Sequence, residues 1–212
     1  MYYHIIWDFD GTLFDTYPLM TIAFAKTLET EGYSENPAQI MELMKVSELH
    51  LLEYCKNKYG TEEDFKYRYD RIRKEMYKNI RPFPEIPGIC KAIYLSGKMN
   101  YLYTHRSHSA IDILKNNNLH IYFKDFITRE NHFKRKPAPD ALLYLIEKHR
   151  MNKDEILMIG DRTIDILAAK NAGIKGCYFN EDRTGKCDLA DYTIYDFKEL
   201  YEIIGLNKLQ YL

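Results

Sequence analysis

The chain has little of what marks membrane, secreted or nucleic-acid-binding proteins. Nowhere in its 212 residues is there anything near the roughly 18 consecutive apolar residues that a membrane span requires. Lys and Arg total 30 against 31 Asp and Glu, so the formal net charge is −1. No global basic field is available to draw in nucleic acid or anionic lipid. The four cysteines (Cys55, Cys90, Cys177 and Cys187) include no CxxC pair, which argues against a zinc site or disulfide framework and for reduced thiols. The segment Met1-Tyr2-Tyr3-His4-Ile5-Ile6-Trp7-Asp8 lacks a cationic region followed by an apolar run, so no signal peptide is expected. Together these absences predict a soluble cytoplasmic protein with neither a membrane nor a nucleic-acid partner. Lys66, Arg68, Arg71 and Arg73 are interleaved with Glu and Asp and read as a solvated face.

What is present is an ordinary globular balance: 46% hydrophobic and 29% charged residues, enough for one substantial core and an appended unit. Three of the seven prolines fall in Arg81-Pro82-Phe83-Pro84-Glu85-Ile86-Pro87-Gly88, a stretch that reads as a turn or linker. Before it, from Asp15 onward, helical periodicity dominates. One helix begins near Leu19, one or two more fill Ile40 to Tyr59, and an amphipathic one runs from Glu62 to Ile80. After it, helix and strand alternate. Strands are expected at Asn100 to Tyr103, Phe126 to Thr128, Ile156 to Ile159, Gly176 to Phe179 and Tyr192 to Ile194. A further β-prone run, Tyr3 to Trp7, opens the chain. Repeated βα units predict an α/β fold, with a Rossmann-like parallel sheet covered by helices on both faces and an all-helical insertion after the first strand. The expected division is 1–14 with 83–212 as catalytic core and 15–82 as helical insertion.

In such a sheet, ligands bind beyond the carboxyl ends of the strands. Polar, reactive groups collect there: Asp8 and Asp10 after the first strand, Thr104 after the second, Lys136 in a later loop, and Asp161 after Ile159-Gly160. Asp8 and Asp10 are two apart, which puts both side chains on one face of an extended segment. Mutual repulsion then splits their proton affinities, so one can act as nucleophile or metal ligand while the other holds a proton. Gly11 eases a tight turn between them and Thr12.

These residues resemble the four motifs of the haloacid dehalogenase-like superfamily, phosphoglycolate phosphatase-like branch. The motifs are Asp8-Phe9-Asp10-Gly11-Thr12, Thr104 at a strand end, Lys136-Pro137-Ala138-Pro139, and Gly160-Asp161-Arg162-Thr163-Ile164-Asp165. The resemblance implies a phosphatase in which Asp8 attacks phosphorus to form an aspartyl-phosphate and Asp10 is general acid and base. It implies Mg²⁺ held by Asp8, the Asp10 backbone carbonyl and Asp161, with Asp165 behind them, and phosphoryl oxygens bound by Thr104 and Lys136. The helical insertion corresponds to a cap that favours a small phosphorylated metabolite, of the phosphoglycolate or sugar phosphate type. Members that dehalogenate lack the aspartate at position 10, which argues against that reaction here. Many relatives carry Asn after the motif-two Thr or Ser, whereas this chain has His105 and then Arg106. Those two residues, with Lys45 in the insertion, are the substrate candidates. Competing readings are a phosphomutase of the β-phosphoglucomutase type, a phosphonate hydrolase with Lys45 as Schiff-base lysine, and a catalytically silent phosphate-binding module.

Overall fold

The structure, a computed structural model, describes residues 1–207. The described residues divide into two compact units: residues 1–14 with those from Pro82 to 207, and Asp15–Arg81.

The first unit is built on six strands: β1 (His4–Trp7), β2 (Met99–Tyr103), β3 (Phe123–Ile127), β4 (Ile156–Gly160), β5 (Lys175–Phe179) and β6 (Tyr192–Ile194). They pair in parallel in the order β3-β2-β1-β4-β5-β6. Burial on both faces of a parallel sheet demands continuous apolar runs. Ile5, Ile6 and Trp7 of β1 are fully buried, as are Ile156 to Ile159 of β4. A polar residue of the adjoining β2 is buried too: Asn100 accepts from the Trp7 indole at 2.9 Å and donates to the carbonyls of Cys90 and Tyr122. Its polar atoms are thus satisfied, as a buried amide requires.

From β1 the chain order runs outward through β2 and β3 on one side and through β4, β5 and β6 on the other. The switch between these directions lies at β1 and β4, where a doubly wound sheet opens a ligand crevice. Trp7 is in register with Leu102 on one side and Ile159 on the other. The residues just beyond β1, β2 and β4 therefore emerge side by side.

Several boundaries differ from the sequence expectation, among them the helix expected over Glu62 to Ile80, which is α-helical only over Phe65–Met76 and tightens into a 3-10 turn at Tyr77–Asn79. β3 starts at Phe123 and ends at Ile127, three residues earlier than the expected start at Phe126. It is an edge strand whose Lys124 is exposed, so it lacks the continuous apolar signature. Helix α5 (Ile86–Leu95) takes Pro87 into its first turn, where proline removes no needed hydrogen bond; the linker is correspondingly shorter. The unit boundary also falls one residue earlier than expected, at Pro82. Phe83 N–H donates to Leu13 O at 3.1 Å and Phe14 bridges Pro82, tying that segment to the sheet-bearing unit.

The second unit comprises α1 (Tyr17–Thr30), α2 (Pro37–Val46), α3 (Glu48–Tyr59) and α4 (Phe65–Met76). Asn36 caps α2 by accepting from Ala38 N–H, Ser47 caps α3 by accepting from His50 N–H, and Gly60 ends α3 in the left-handed conformation, each satisfying otherwise orphaned helix-end groups. Phe24 packs edge-on against Phe65 and Tyr69 at 5.1 and 5.2 Å. Three of the basic residues of α4 are paired: Lys66 and Arg73 with Glu48, Arg68 with Glu31 and Asp64. Lys45 sits in the last turn of α2 with its ammonium 5.9 Å from the Tyr17 ring centroid. No helix among the described residues is long and apolar enough to cross a membrane.

Candidate active site

The site grows from the turn after β1. Asp8 N–H donates to Ile159 O at 2.9 Å, holding the residue between β1 and β4. The carbonyl of Phe9 then accepts from Thr12, Leu13 and Phe14, and Gly11 takes a φ of +76° to let the chain reverse, a conformation that costs glycine little. Phe9 and Phe14 stack at 4.7 Å beneath this turn. Asp8 is thereby buried while Asp10 stays partly open.

Lys136 reaches this carboxylate from the loop after β3. Its Nζ donates to Asp8 Oδ1 at 2.7 Å and to Tyr103 O at 2.9 Å, and lies 2.7 Å from Asp165 Oδ1. The ammonium thus donates to two oxygens and stands in ion-pair contact with a third, on Asp165. Burial disfavours the Lys136 charge, but Asp165 and Asp8 outweigh burial and hold the ammonium above its ordinary value. Asp8 is pushed up to about 6: burial raises it, Lys136 opposes, and Asp165 raises it further. The rise at Asp8 is led by burial, whereas the rise at Lys136 comes from the two carboxylates around it.

Beyond α6 (Ser109–Asn116) and α7 (Asp140–His149), Asp165 lies in the first turn of α8 (Thr163–Ala172) and accepts from Arg162 N–H at 3.0 Å. Gly160 makes room for it: a Cβ there would stand 2.4 Å from the Asp165 Cβ. Asp161 accepts at Oδ1 from the Thr12 hydroxyl at 3.1 Å, which fixes it against the β1 turn. Thr104 is buried; its Oγ1 accepts from Arg106 N–H at 3.1 Å, which leaves the hydroxyl proton to donate elsewhere.

Asp8, Asp10, Thr104, Lys136, Asp161 and Asp165 thus all belong to the sheet-bearing unit, five of them on loops at its carboxyl edge and Asp165 in the first turn of α8. The substrate candidates fare differently. Arg106 is engaged with Asp10 through both Nη2 and Nε, the latter at 3.3 Å, and its guanidinium lies 5.1 Å from the Phe9 ring centroid. His105 accepts from the backbone N–H of Lys136 at 2.8 Å. Lys45 belongs to the helical unit. Two contributors escaped the sequence reading. Thr12 acts on Asp161 as described, and Arg162 places Nη2 4.0 Å from Asp8 Oδ2 and Nε 4.0 Å from Asp165 Oδ2. A cation beside the motif-four aspartate was the available signal for Arg162.

The donor set suits a hard divalent cation. One oxygen each of Asp8, Asp161 and Asp165 lie within 4.8 Å of one another. Asp8 Oδ2 is buried without a hydrogen-bond donor, an arrangement that is costly unless a ligand completes it.

A family model described as haloacid dehalogenase-like hydrolase matches residues 5–179. The chain belongs to that family. It is therefore a hydrolase, with phosphatases among its relatives. The phosphoglycolate phosphatase of Vibrio cholerae serotype O1 is 27% identical over 186 residues, covering 82% of this chain and 81% of its own. A hydrolase from Streptococcus pneumoniae TIGR4 has 28% sequence identity and a TM-score of 0.67, over 97% of this chain and 99% of that one. The HAD-hydrolase YfnB from Bacillus subtilis, whose crystal structure is described as bound to magnesium, has a TM-score of 0.80 at 20% identity, over 97% and 99% of the two chains. That last likeness is one of fold. Within this haloacid dehalogenase-like hydrolase, all four motif positions fall on the sheet's carboxyl edge.

Proposed function

We propose that the protein is a Mg²⁺-dependent phosphatase that hydrolyses a small phosphomonoester through an aspartyl-phosphate on Asp8. The observation that carries the reading is the environment of the Asp8 carboxylate. One oxygen is held by Lys136 and the other has no hydrogen bond, so the group is oriented by one oxygen and left reactive at the other.

In the first half-reaction the Asp8 carboxylate attacks phosphorus, the bond from phosphorus to the ester oxygen breaks, and Asp10 gives its proton to the departing oxygen. In the second, Asp10 takes a proton from water as that water attacks the same phosphorus, and phosphate leaves Asp8. Thr104 donates its hydroxyl proton to a phosphoryl oxygen, and Lys136 offsets negative charge around the nucleophile. Mg²⁺ held by Asp8, the Asp10 backbone carbonyl and Asp161, with Asp165 behind, would lower the repulsion between an anionic carboxylate and an anionic phosphate. The magnesium-bound YfnB supports this choice of ion, as does the all-oxygen donor set. Phosphoglycolate and sugar phosphates are the substrate classes to try first, on the strength of the Vibrio cholerae relative. The Asp15–Arg81 unit takes the role of substrate-selecting cap in this reading, on its place in the chain directly after the first motif.

The test is phosphate release from a panel of small phosphomonoesters, with Mg²⁺ and with EDTA. Metal-dependent release that EDTA abolishes supports the reading. Isomerisation of a sugar phosphate without net release would overturn it in favour of a mutase.

A further inference from the structure

His105 follows the buried Thr104 just beyond the end of β2. Its ring stands between two donors: the Lys136 backbone N–H at 2.8 Å from Nε2, and the Arg135 guanidinium at 3.2 Å from Nδ1. A neutral imidazole has one accepting and one donating nitrogen. The backbone N–H is part-buried and cannot turn away, whereas Arg135 lies at the exposed edge of the ring and has water available. Nε2 is therefore the accepting nitrogen and Nδ1 carries the proton. Tyr103 completes the grip, with its ring edge-on to His105 at 6.2 Å, its carbonyl accepting from Lys136 Nζ and its ring 4.5 Å below that ammonium. Tyr103 and His105, at the end of β2, thus hold one lysine at its tip and at its backbone.

We propose that His105 is a positioning residue for Lys136: its unprotonated Nε2 fixes the backbone of the lysine whose ammonium bridges Asp8 and Asp165. The side chain acts through Lys136 and not on the substrate. It rests on the phosphatase reading only for its effect on rate; the hydrogen bond itself is independent of any activity. Protonation would place a donor against a donor and break the contact. Burial, together with Lys136, Arg135 and Arg162, keeps the ring neutral against the weaker opposing pull of Asp10.

Two variants of similar length separate this role from plain packing. His105→Met keeps bulk without an acceptor, and His105→Gln offers a side-chain carbonyl to the same N–H. Loss of one positioning hydrogen bond predicts a fall in kcat of about tenfold for His105→Met. KM should move by less than about threefold, and Gln should restore most of the rate. A KM rise with kcat intact, or identical behaviour of Met and Gln, would assign His105 to substrate contact or to packing and overturn the proposal. The wild-type protein labelled with ¹⁵N,¹³C-histidine gives a readout that needs no turnover, with His105 assigned by its absence from the Gln variant. The expected spectrum shows the Nδ1–H tautomer, unprotonated at Nε2 and unchanged from about pH 8 to about pH 5, where a free imidazole would titrate. An Nε2–H tautomer, or an ordinary titration in that range, refutes the brace even if phosphatase activity is found. The expected spectrum upholds the contact even if every phosphoester fails.

Discussion

Lys136 donates from Nζ to Oδ1 of Asp8 over 2.7 Å, with side chains 0% and 2% exposed. A buried ion pair of this kind is weak support for stability, because desolvation consumes most of its Coulomb energy. Its removal from one side is another matter. Lys136→Met leaves Asp8 and Asp165 buried without their shared cation, and the expected loss is about 3–5 kcal/mol. Adding Asp165→Asn to that variant should recover part of the loss, since one fewer buried charge then lacks a partner. Urea unfolding of the single and double variants measures both.

Gly160 is held to glycine by a neighbour and not by its own backbone angle. A Cβ at this position would meet Asp165 Cβ at 2.4 Å and its carboxyl carbon at 2.5 Å. Neither atom belongs to a flexible tip, because Asp165 is fully buried and bound to Arg162 N–H and Lys136. Gly160→Ala should therefore destabilise the fold by about 1–3 kcal/mol, and should also reduce activity by displacing Asp165. Thermal melting and a rate assay on the same preparation check the two effects together.

The neutral His105 makes stability depend on pH. Its folded-state value is lowered to about 2 by burial and by Lys136, Arg135 and Arg162. In the unfolded chain the same ring takes a proton below about pH 6.5. Between these values the unfolded state binds the extra proton, so acid favours unfolding and stability rises with pH. The ring is partly exposed, so solvent tempers the effect. Going from pH 7 to pH 5, the wild type should lose about 1–2 kcal/mol more than His105→Gln does. Parallel denaturation curves at the two pH values decide it. Equal losses in both proteins would mean that His105 takes up its proton in the folded state as readily as in the unfolded chain.

Arg106 binds Asp10 through two of its guanidinium nitrogens with its side chain only 7% exposed. A forked arginine–carboxylate contact gives orientation as well as energy. Arg106→Gln frees Asp10 to rotate, and a loss of about 10- to 100-fold in kcat is expected if Asp10 must point at the leaving oxygen. Arg106→Lys should recover only part of that loss, because an ammonium lacks the planar fork. A variant that raises KM alone would instead return Arg106 to the substrate.

The parts of this architecture that could be read from the sequence are those governed by local pattern. Ile5-Ile6-Trp7 ending at Asp8, and Ile156 to Ile159 ending at Gly160-Asp161, are apolar runs that stop at a carboxylate, and both are strands of the sheet centre. Gly173 closes α8 in the left-handed conformation expected of a helix-ending glycine. β3 was harder to delimit because Lys124 and Asp125 interrupt its apolar residues at an edge where one side faces solvent. The beginning of α5 was hidden by Pro87, which reads as a break unless the helix is known to start just before it. The contacts of Arg106 with Asp10 and of His105 with Lys136 join residues 96 and 31 positions apart. No periodicity encodes such pairings; they follow from which loops the sheet order brings side by side. The motif residues could be recognised by type and order, whereas their supporting partners Thr12, Arg162 and His105 became apparent only through distances.

The central claim is that Asp8 becomes phosphorylated, and acid-quenched turnover tests it most directly. The protein is mixed with Mg²⁺ and its best phosphomonoester, stopped in acid where acyl phosphates survive, and digested for mass spectrometry. The account predicts a phosphoryl group on the peptide bearing Asp8, absent with EDTA and absent from Asp8→Asn, which should also lose about 10⁴-fold or more in rate. Phosphate release with no adduct on Asp8, at a rate that Asp8→Asn leaves unchanged, would contradict it.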